Sequence, residues 1–317
     1  MTYTGHASFS KIETGFPVDF NWIKSRVNSS PYDHVLSDSV RGAGKFLKSS
    51  ETASEIDNPN TVTSFDSDGV TIGQDWIVNA DALGYVSWNF RGGDTVTNND
   101  GSIQSEVSAN KDMGFSVVKW NMSMQALKTI GHGLGKIPDL IITKKINGTQ
   151  NWEVHSTPTG NDDGLVLNDS GPAVFQPTWG SFQPTDKLFM FTQTAGDYIA
   201  YCFANTEMIH VGQYTGNSSV DGPFISLPFK PAYSMIKMIQ PHDGYNWLIF
   251  DNKRNPYNVV GKQLMANESS QESDSPKLDF LSNGFKLRDS SYNVNVTGCT
   301  YLYLAISEQN FKNSRGR

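Results

Sequence analysis

The segment Gly44-Lys45-Phe46-Leu47, followed by Glu51, Glu55 and Asp57, returns near the other end of the chain as Gly261-Lys262-Gln263-Leu264 with Glu268, Glu272 and Asp274. Both read G-K-x-L-x3-E-x3-E-x-D, at a constant offset of 217 residues. Such a repeat constrains the fold before anything else, because each copy has to be one structural unit. Upstream, Asp38-Ser39-Val40-Arg41 pairs with Asp251-Asn252-Lys253-Arg254. Downstream, Tyr85-Val86-Ser87-Trp88-Asn89-Phe90 pairs with Tyr301-Leu302-Tyr303-Leu304-Ala305-Ile306. A fainter middle copy runs from Pro138-Asp139-Leu140-Ile141-Ile142 through Asn151-Trp152, which matches Asn246-Trp247, to Tyr198-Ile199-Ala200-Tyr201-Cys202-Phe203. The three copies fall at 1–98, 99–206 and 207–317, each the size of a small domain.

The recurring blocks are short and rich in Ile, Val, Tyr, Phe and Trp. Clusters such as Asp68-Gly69 and Asn283-Gly284 separate them. That pattern is strands and tight turns. It predicts an all-β chain of three tandem antiparallel β-sandwiches of jelly-roll type, with one wet face on each sheet. The one helical expectation is a turn or two over 50–56, capped by Ser50. Residues 91–101 read as a linker. The first copy offers only Met1-Thr2-Tyr3 where the others have Phe115-Ser116-Val117-Val118 and Ile209-His210-Val211-Gly212. Its opening strand is therefore nearly absent, which leaves either a short edge or one covered by a partner chain.

Composition removes several classes. Aromatics at 12% argue against disorder, and two cysteines cannot staple this length. A net charge of −7 argues against nucleic acid, and no apolar run long enough to insert in a membrane exists. The start Met1-Thr2-Tyr3-Thr4 has no signal-peptide pattern.

Blocks in the first two copies carry a resemblance. They are Asp19-Phe20-Asn21-Trp22-Ile23-Lys24, Asp38-Ser39-Val40-Arg41-Gly42, Val62-Thr63-Ser64-Phe65-Asp66-Ser67-Asp68-Gly69 and Gly131-His132-Gly133-Leu134-Gly135 with the strand that follows. In this order they resemble a domain that recurs in fibre-like virion proteins of marine and cyanobacterial tailed phages. The order Pro17-Val18-Asp19 departs from the usual Pro-Asp, which shifts a bend by one residue. The resemblance implies a structural or host-attachment part of a phage particle. It assigns no residue a role.

Few side chains suggest chemistry. Asp66-Ser67-Asp68-Gly69 begins like a calcium loop, but the later ligands are missing, and the third copy puts Leu281 and Asn283 at the two carboxylate positions. What persists there is turn chemistry. Glu51, Glu55, Glu268 and Glu272 form the best polar set. Spaced four apart, they would share a helix face and hold a cation or act as an acid–base pair. The alternative is a solvated acidic loop with Lys45 and Lys262 as counter-ions. Asp38…Arg41 and Asp251…Arg254 read as turn-bracing ion pairs. Trp152 and Trp247 are either core anchors or platforms for a sugar ring. The six histidines form no catalytic or metal motif. Cys202 and Cys299 read as buried free thiols.

The expectation that follows is a non-enzymatic virion structural protein with no cofactor and no catalytic residue. It would be made in the host cytoplasm and placed on the virion surface, as a fibre-like appendage or capsid decoration that aids host attachment. Its partners would be other virion proteins and copies of itself, a trimer by analogy with phage fibres. The alternative is a carbohydrate-binding adhesin that contacts host surface glycans. The third reading, a glycan-degrading enzyme, would need Glu51 and Glu268 as its carboxylates.

Overall fold

The computed structural model describes residues 1–27, 32–241 and 244–308, so 309–317 of the third copy lie outside it. The chain is all-β and its sheets are antiparallel. Each copy builds a main sheet with the same strand order. In the first, β1 (Thr2–Thr4), β2 (Phe20–Ser25), β3 (Val35–Asp38) and β4 (Gly84–Phe90) lie as β1-β4-β2-β3. In the second, β5 (Phe115–Met122), β6 (Leu140–Lys145), β7 (Glu153–Ser156) and β8 (Gly196–Phe203) lie as β5-β8-β6-β7. In the third, β9 (Ile209–Thr215), β10 (Pro231–Gln240), β11 (Leu248–Asp251) and β12 (Thr300–Ser307) lie as β9-β12-β10-β11. The registers fix equivalences: Trp22 faces Trp88, Ile142 faces Tyr201, and Met235 faces Leu304.

The main sheets have no wet face of the kind expected. One face of each packs against a private outer layer. In the first copy that layer is the sheet of Ser10–Glu13, Gly69–Ile72 and Val62–Asp66, over Ile23, Val35 and Tyr85. In the second it includes the pair Lys128–Gly131 and Leu188–Phe191, over Trp120 and Tyr198. In the third the main sheet itself continues through Val260–Met265, Ser273–Leu281 and Gly284–Leu287 to Phe224–Ser226 and closes over its own core. The opposite faces of all three sheets meet in one common core. Phe20, Trp88 and Phe90 from the first copy join Phe115, Tyr201 and Phe203 from the second and Tyr233, Leu304 and Ile306 from the third. Phe20 lies 4.1 Å from Tyr201 between ring centres, and Trp88 lies 5.8 Å from Tyr233. Two-sided burial is why β2 and β11 are buried at every position and β8 at its last six.

Main-chain bonds close the three copies into a ring. Glu55 N donates to Ile146 O at 2.8 Å, Ala173 N to Ile239 O at 2.9 Å, and Glu272 N to Arg26 O at 3.0 Å. Each bond runs from one copy to the next at equivalent places. The expected linker is part of this fabric. Gly92 N donates to Asp19 and Gly93 N to Ser108, while Val96–Asn98 pairs with Ser105–Asn110 beside β5. The first copy's sheet therefore ends before residue 96.

Two glycines show why one turn recurs. A Cβ on Gly69 would sit 2.1 Å from Ile12 O, and one on Gly284 would sit 2.0 Å from Ile225 O. In both copies a third strand crosses the hairpin too closely for any side chain. The turn over 50–56 is not helical. Ile56–Asp57 pairs as a strand with Lys45–Phe46, so Glu51 and Glu55 share no helix face.

Candidate functional site

The polar residues that recur between copies gather at the joints. At the joint of copies one and two, the Arg41 guanidinium donates to Asp38 at 2.5 Å, to Glu55 at 2.9 Å and to Leu36 O at 2.8 Å. Tyr201 of the second copy donates its hydroxyl to the same Asp38 oxygen at 2.9 Å. Burial alone would lower the Arg41 pKa. Asp38, Tyr201 and Glu55 outweigh it and hold the group above its usual range, so it stays charged. At the joint of copies three and one the arrangement repeats. Arg254 donates to Asp251 at 2.5 Å and to Glu272 at 3.2 Å, and Trp88 Nε1 donates to Asp251 at 3.0 Å. Arg26 of the first copy adds a two-pronged pair with Glu272, both contacts at 3.0 Å. Burial pushes the Asp251 carboxyl up, but Arg254 and Trp88 hold it below the usual carboxylate range.

The remaining sequence candidates are also structural. Trp152 and Trp247 are buried in the common core, so neither ring is open to a sugar. Their indoles cap carbonyls of the preceding copy: Trp152 donates to Lys48 O at 2.8 Å and Trp247 to Val166 O at 3.0 Å. His34 does the same job at the joint of copies three and one. Its Nδ1 accepts from Trp22 at 2.7 Å, which leaves Nε2 as the donor to Met265 O at 3.0 Å. Glu51 pairs with Lys48, and Glu268 accepts from Asn246 and Ser270. The counter-ions of the recurring glutamates are thus Lys48, Arg41, Arg254 and Arg26, in place of the expected Lys45 and Lys262. Asp66 accepts from Ser64 and Thr71 within its own hairpin, and Asp68 pairs with Lys11 on the neighbouring strand, so both carboxylates serve the outer sheet of the first copy. Among the described residues no cluster has a metal-ligating composition.

Three lysines escaped the sequence reading. Lys24, Lys144 and Lys237 are equivalent and buried, and each faces the common core from β2, β6 and β10. Lys144 Nζ donates to Thr52 O of the first copy at 3.1 Å, and Lys237 Nζ to Ser170 O of the second at 2.9 Å. Burial lowers all three to about 8. The signal was present as a lysine recurring at the same place in an apolar strand.

One cleft of about 360 Å³ opens beside these joints. Trp88, Asn89 and Phe90 of β4 line it together with Tyr233, Ile306, Met113 and Met208. Lys253 and Glu308 form an ion pair at the rim, and beyond it lies a recess of about 510 Å³ beside Tyr257, which is 82% exposed.

A model of a family described as a domain of unknown function, DUF7483, matches residues 1–310. The chain belongs to that family. No curated protein and no solved structure matches it.

Proposed function

We propose that this member of the DUF7483 family is a non-enzymatic structural component of a phage particle. It would sit on the virion surface as a fibre-like appendage or capsid decoration and aid attachment to the host. The observation that carries the reading is how the recurring charged residues are used. Asp38, Arg41 and Glu55, like Asp251, Arg254 and Glu272, are bound to one another within their own copy, and the neighbouring copy reaches each set through Tyr201 on Asp38 and through Trp88 and Arg26 on Asp251 and Glu272. Spent on one another in this way, these residues rigidify the body, and Asp251 alone of the six borders the cleft described above. The sequence resemblance to fibre-like virion proteins supports the same reading. Homotrimers are part of the proposal; sedimentation of the purified protein at the mass of one chain, at micromolar concentration, would remove them. The deciding experiment is on particles. Gradient-purified virions should carry the protein by mass spectrometry, and particles lacking it should lose a defined surface density. Its absence from purified particles overturns the proposal.

One observation favours the adhesin reading. Tyr257 presents an open ring beside Asn252 and Lys230. The equivalent loop of the first copy, Arg41-Gly42-Ala43-Gly44, has no aromatic residue, so any glycan site there belongs to the third copy alone. Binding on a glycan array that a Tyr257→Ala variant loses would establish it.

A further inference from the structure

A pair of aromatic rings recurs at one place in the first and third copies. On β4 the Tyr85 hydroxyl donates to Trp76 O at 2.6 Å and accepts from Ala80 N at 3.0 Å. On β12 the Tyr301 hydroxyl donates to Tyr292 O and accepts from Val296 N, both at 2.9 Å. The tyrosine of the adjoining strand ties down each loop, Tyr3 on Val78 O and Tyr214 on Val294 O. Trp76 and Tyr292 are therefore equivalent, 216 residues apart like Tyr85 and Tyr301. Each meets a second ring from the segment before β3 or β11. Tyr32 meets Trp76 edge-on at 4.8 Å between ring centres, and Tyr245 stacks on Tyr292 at 5.4 Å with the planes 9° apart. Tyr32 and Tyr245 correspond too, each two residues before the side chain, His34 or Trp247, that meets a carbonyl of the neighbouring copy. The hydrogen bonds of this corner use only the main chain of Trp76 and Tyr292. Their side chains are 51% and 47% exposed, while the other six tryptophans of the chain are buried. The second copy builds the same corner without the pair. There Tyr198 donates to Thr194 O at 2.8 Å, and Gln150 stands where the third copy has Tyr245.

We propose that the pairs Tyr32–Trp76 and Tyr245–Tyr292 are two equivalent binding sites for neutral sugar rings. The ligand chemistry follows from what is exposed. A Trp or Tyr ring offers an apolar face to the C–H face of a pyranose and a polar edge to its hydroxyls. Both exposed rings stand among polar residues in the chain, Gln74 and Asp75 before Trp76, and Ser290, Ser291 and Asn293 around Tyr292. Aromatic surface with a few polar groups beside it suits a small polar ligand, whereas a protein interface has a broad apolar centre. Asp75 adjoins Trp76, and Asp289 accepts from Ser291 next to Tyr292, so a carboxylate near each ring disfavours an anionic sugar. The fold does not require the pair, since the second copy lacks it. Two sites on one chain multiply weak contacts with a repetitive surface. Tyr257 is not part of either site, because it follows the far end of β11 from Tyr245. The inference supplies the chemistry of the host attachment proposed above and rests on that reading for the source of the sugar alone.

The test uses the full chain on an array of neutral hexose and N-acetylhexosamine oligosaccharides, followed by titration of the strongest binder. We expect two sites per chain, one site in Trp76→Ala or in Tyr292→Ala, and at least tenfold weaker array binding in the double variant. Tyr257→Ala should bind as the natural chain does. Trp76 is the tryptophan open to solvent, so saturating sugar should also lower acrylamide quenching of the natural protein's fluorescence. That measurement needs no variant to fold. An array without binding, binding unchanged in the double variant, or quenching unchanged by saturating sugar each overturns the proposal. Two further results overturn it by naming another site or occupant. Binding lost in Tyr257→Ala and kept in the double variant moves the sugar to the recess beside Tyr257. Another virion protein that binds the natural chain and not the double variant, with the array silent, assigns the ring pairs to assembly. A silent array leaves the virion reading standing, because mass spectrometry of purified particles decides that separately.

Discussion

Two of the three joints between copies carry a buried Asp–Arg–Glu node, and the third carries none. Yet all three close on the same ladder of main-chain bonds and the same apolar core. Where the first and third copies have Asp38 and Asp251, the register gives the second copy Ser156. Where the first and second copies present Trp88 and Tyr201 to those carboxylates, the third presents Leu304. Acid, arginine and hydrogen-bonding aromatic are present together or missing together. Closing the ring therefore does not need the Asp–Arg–Glu node. A node once present needs every member, because each buried partner left alone keeps its desolvation cost.

The comparison breaks most visibly at Arg41, which is buried against Asp38. An Arg41→Ala variant leaves that carboxylate unpaired, and denaturant unfolding should show a loss of ~3–5 kcal/mol. Transplanting the node-free joint, as Asp38→Ser, Arg41→Thr and Tyr201→Leu together, should cost less than Arg41→Ala alone, since the one charge stranded is Glu55, which is partly exposed. A triple variant as damaged as the single one would mean that the node, and not the core, holds that joint.

The hydrogen-bonding aromatic gives a finer contrast. Tyr201→Phe removes the hydroxyl that donates to Asp38 and accepts from Arg41 at 3.2 Å, with an expected loss of ~1–3 kcal/mol. Leu304→Tyr places the same hydroxyl at the joint that has no carboxylate. We expect destabilisation of ~1–3 kcal/mol there too, from overpacking and an unmet hydroxyl. Thermal unfolding of both variants reads this directly. A stable Leu304→Tyr protein would show that the third joint tolerates a polar group.

Much of this was legible in the chain. The all-β class followed from short β-branched and aromatic blocks between Asx-Gly turns, and the Gly69 and Gly284 turns are where the repeat placed them. The shared core had a signal that went unread. Tyr198-Ile199-Ala200-Tyr201-Cys202-Phe203 is continuously apolar, which marks a strand buried on both faces and not a sandwich strand with one wet face. Of the recurring glutamates, Glu55 and Glu272 belong to the nodes at the joints, whereas Glu51 and Glu268 bind within their own copies. Their four-residue spacing suggested a helix only because nothing local reveals that Glu55 meets Arg41 or that Glu272 meets an arginine from another copy. Tyr201 lies far along the chain from Asp38, so their contact is a property of the ring and of no single copy.

The strand that carries Ser156 in place of the acid has titratable groups on its other face, toward the second copy's own core, and they give the smallest effect. Strand β7 places Glu153 and His155 where β11 has Leu248 and Phe250. His155 is buried beside Trp179, and neither ring nitrogen has a hydrogen-bond partner. Burial lowers it from 6.5 to about 4. Between those values the unfolded chain binds the proton and the native chain does not, so His155 lowers stability as pH falls from 6.5 toward 4. Burial raises Glu153 from 4.5 to about 7, so the native chain binds the extra proton and stability falls as pH rises through that window. The two slopes oppose each other in the natural protein. Borrowing Phe250, His155→Phe should change stability at pH 7 by less than about 1 kcal/mol, since no hydrogen bond is lost. Its advantage should grow as the pH drops toward 4. Borrowing Leu248, Glu153→Leu should gain most above pH 7. Urea midpoints across that range separate the two. Parallel curves for His155→Phe and the natural chain would mean that His155 already finds a partner for its proton in the native state.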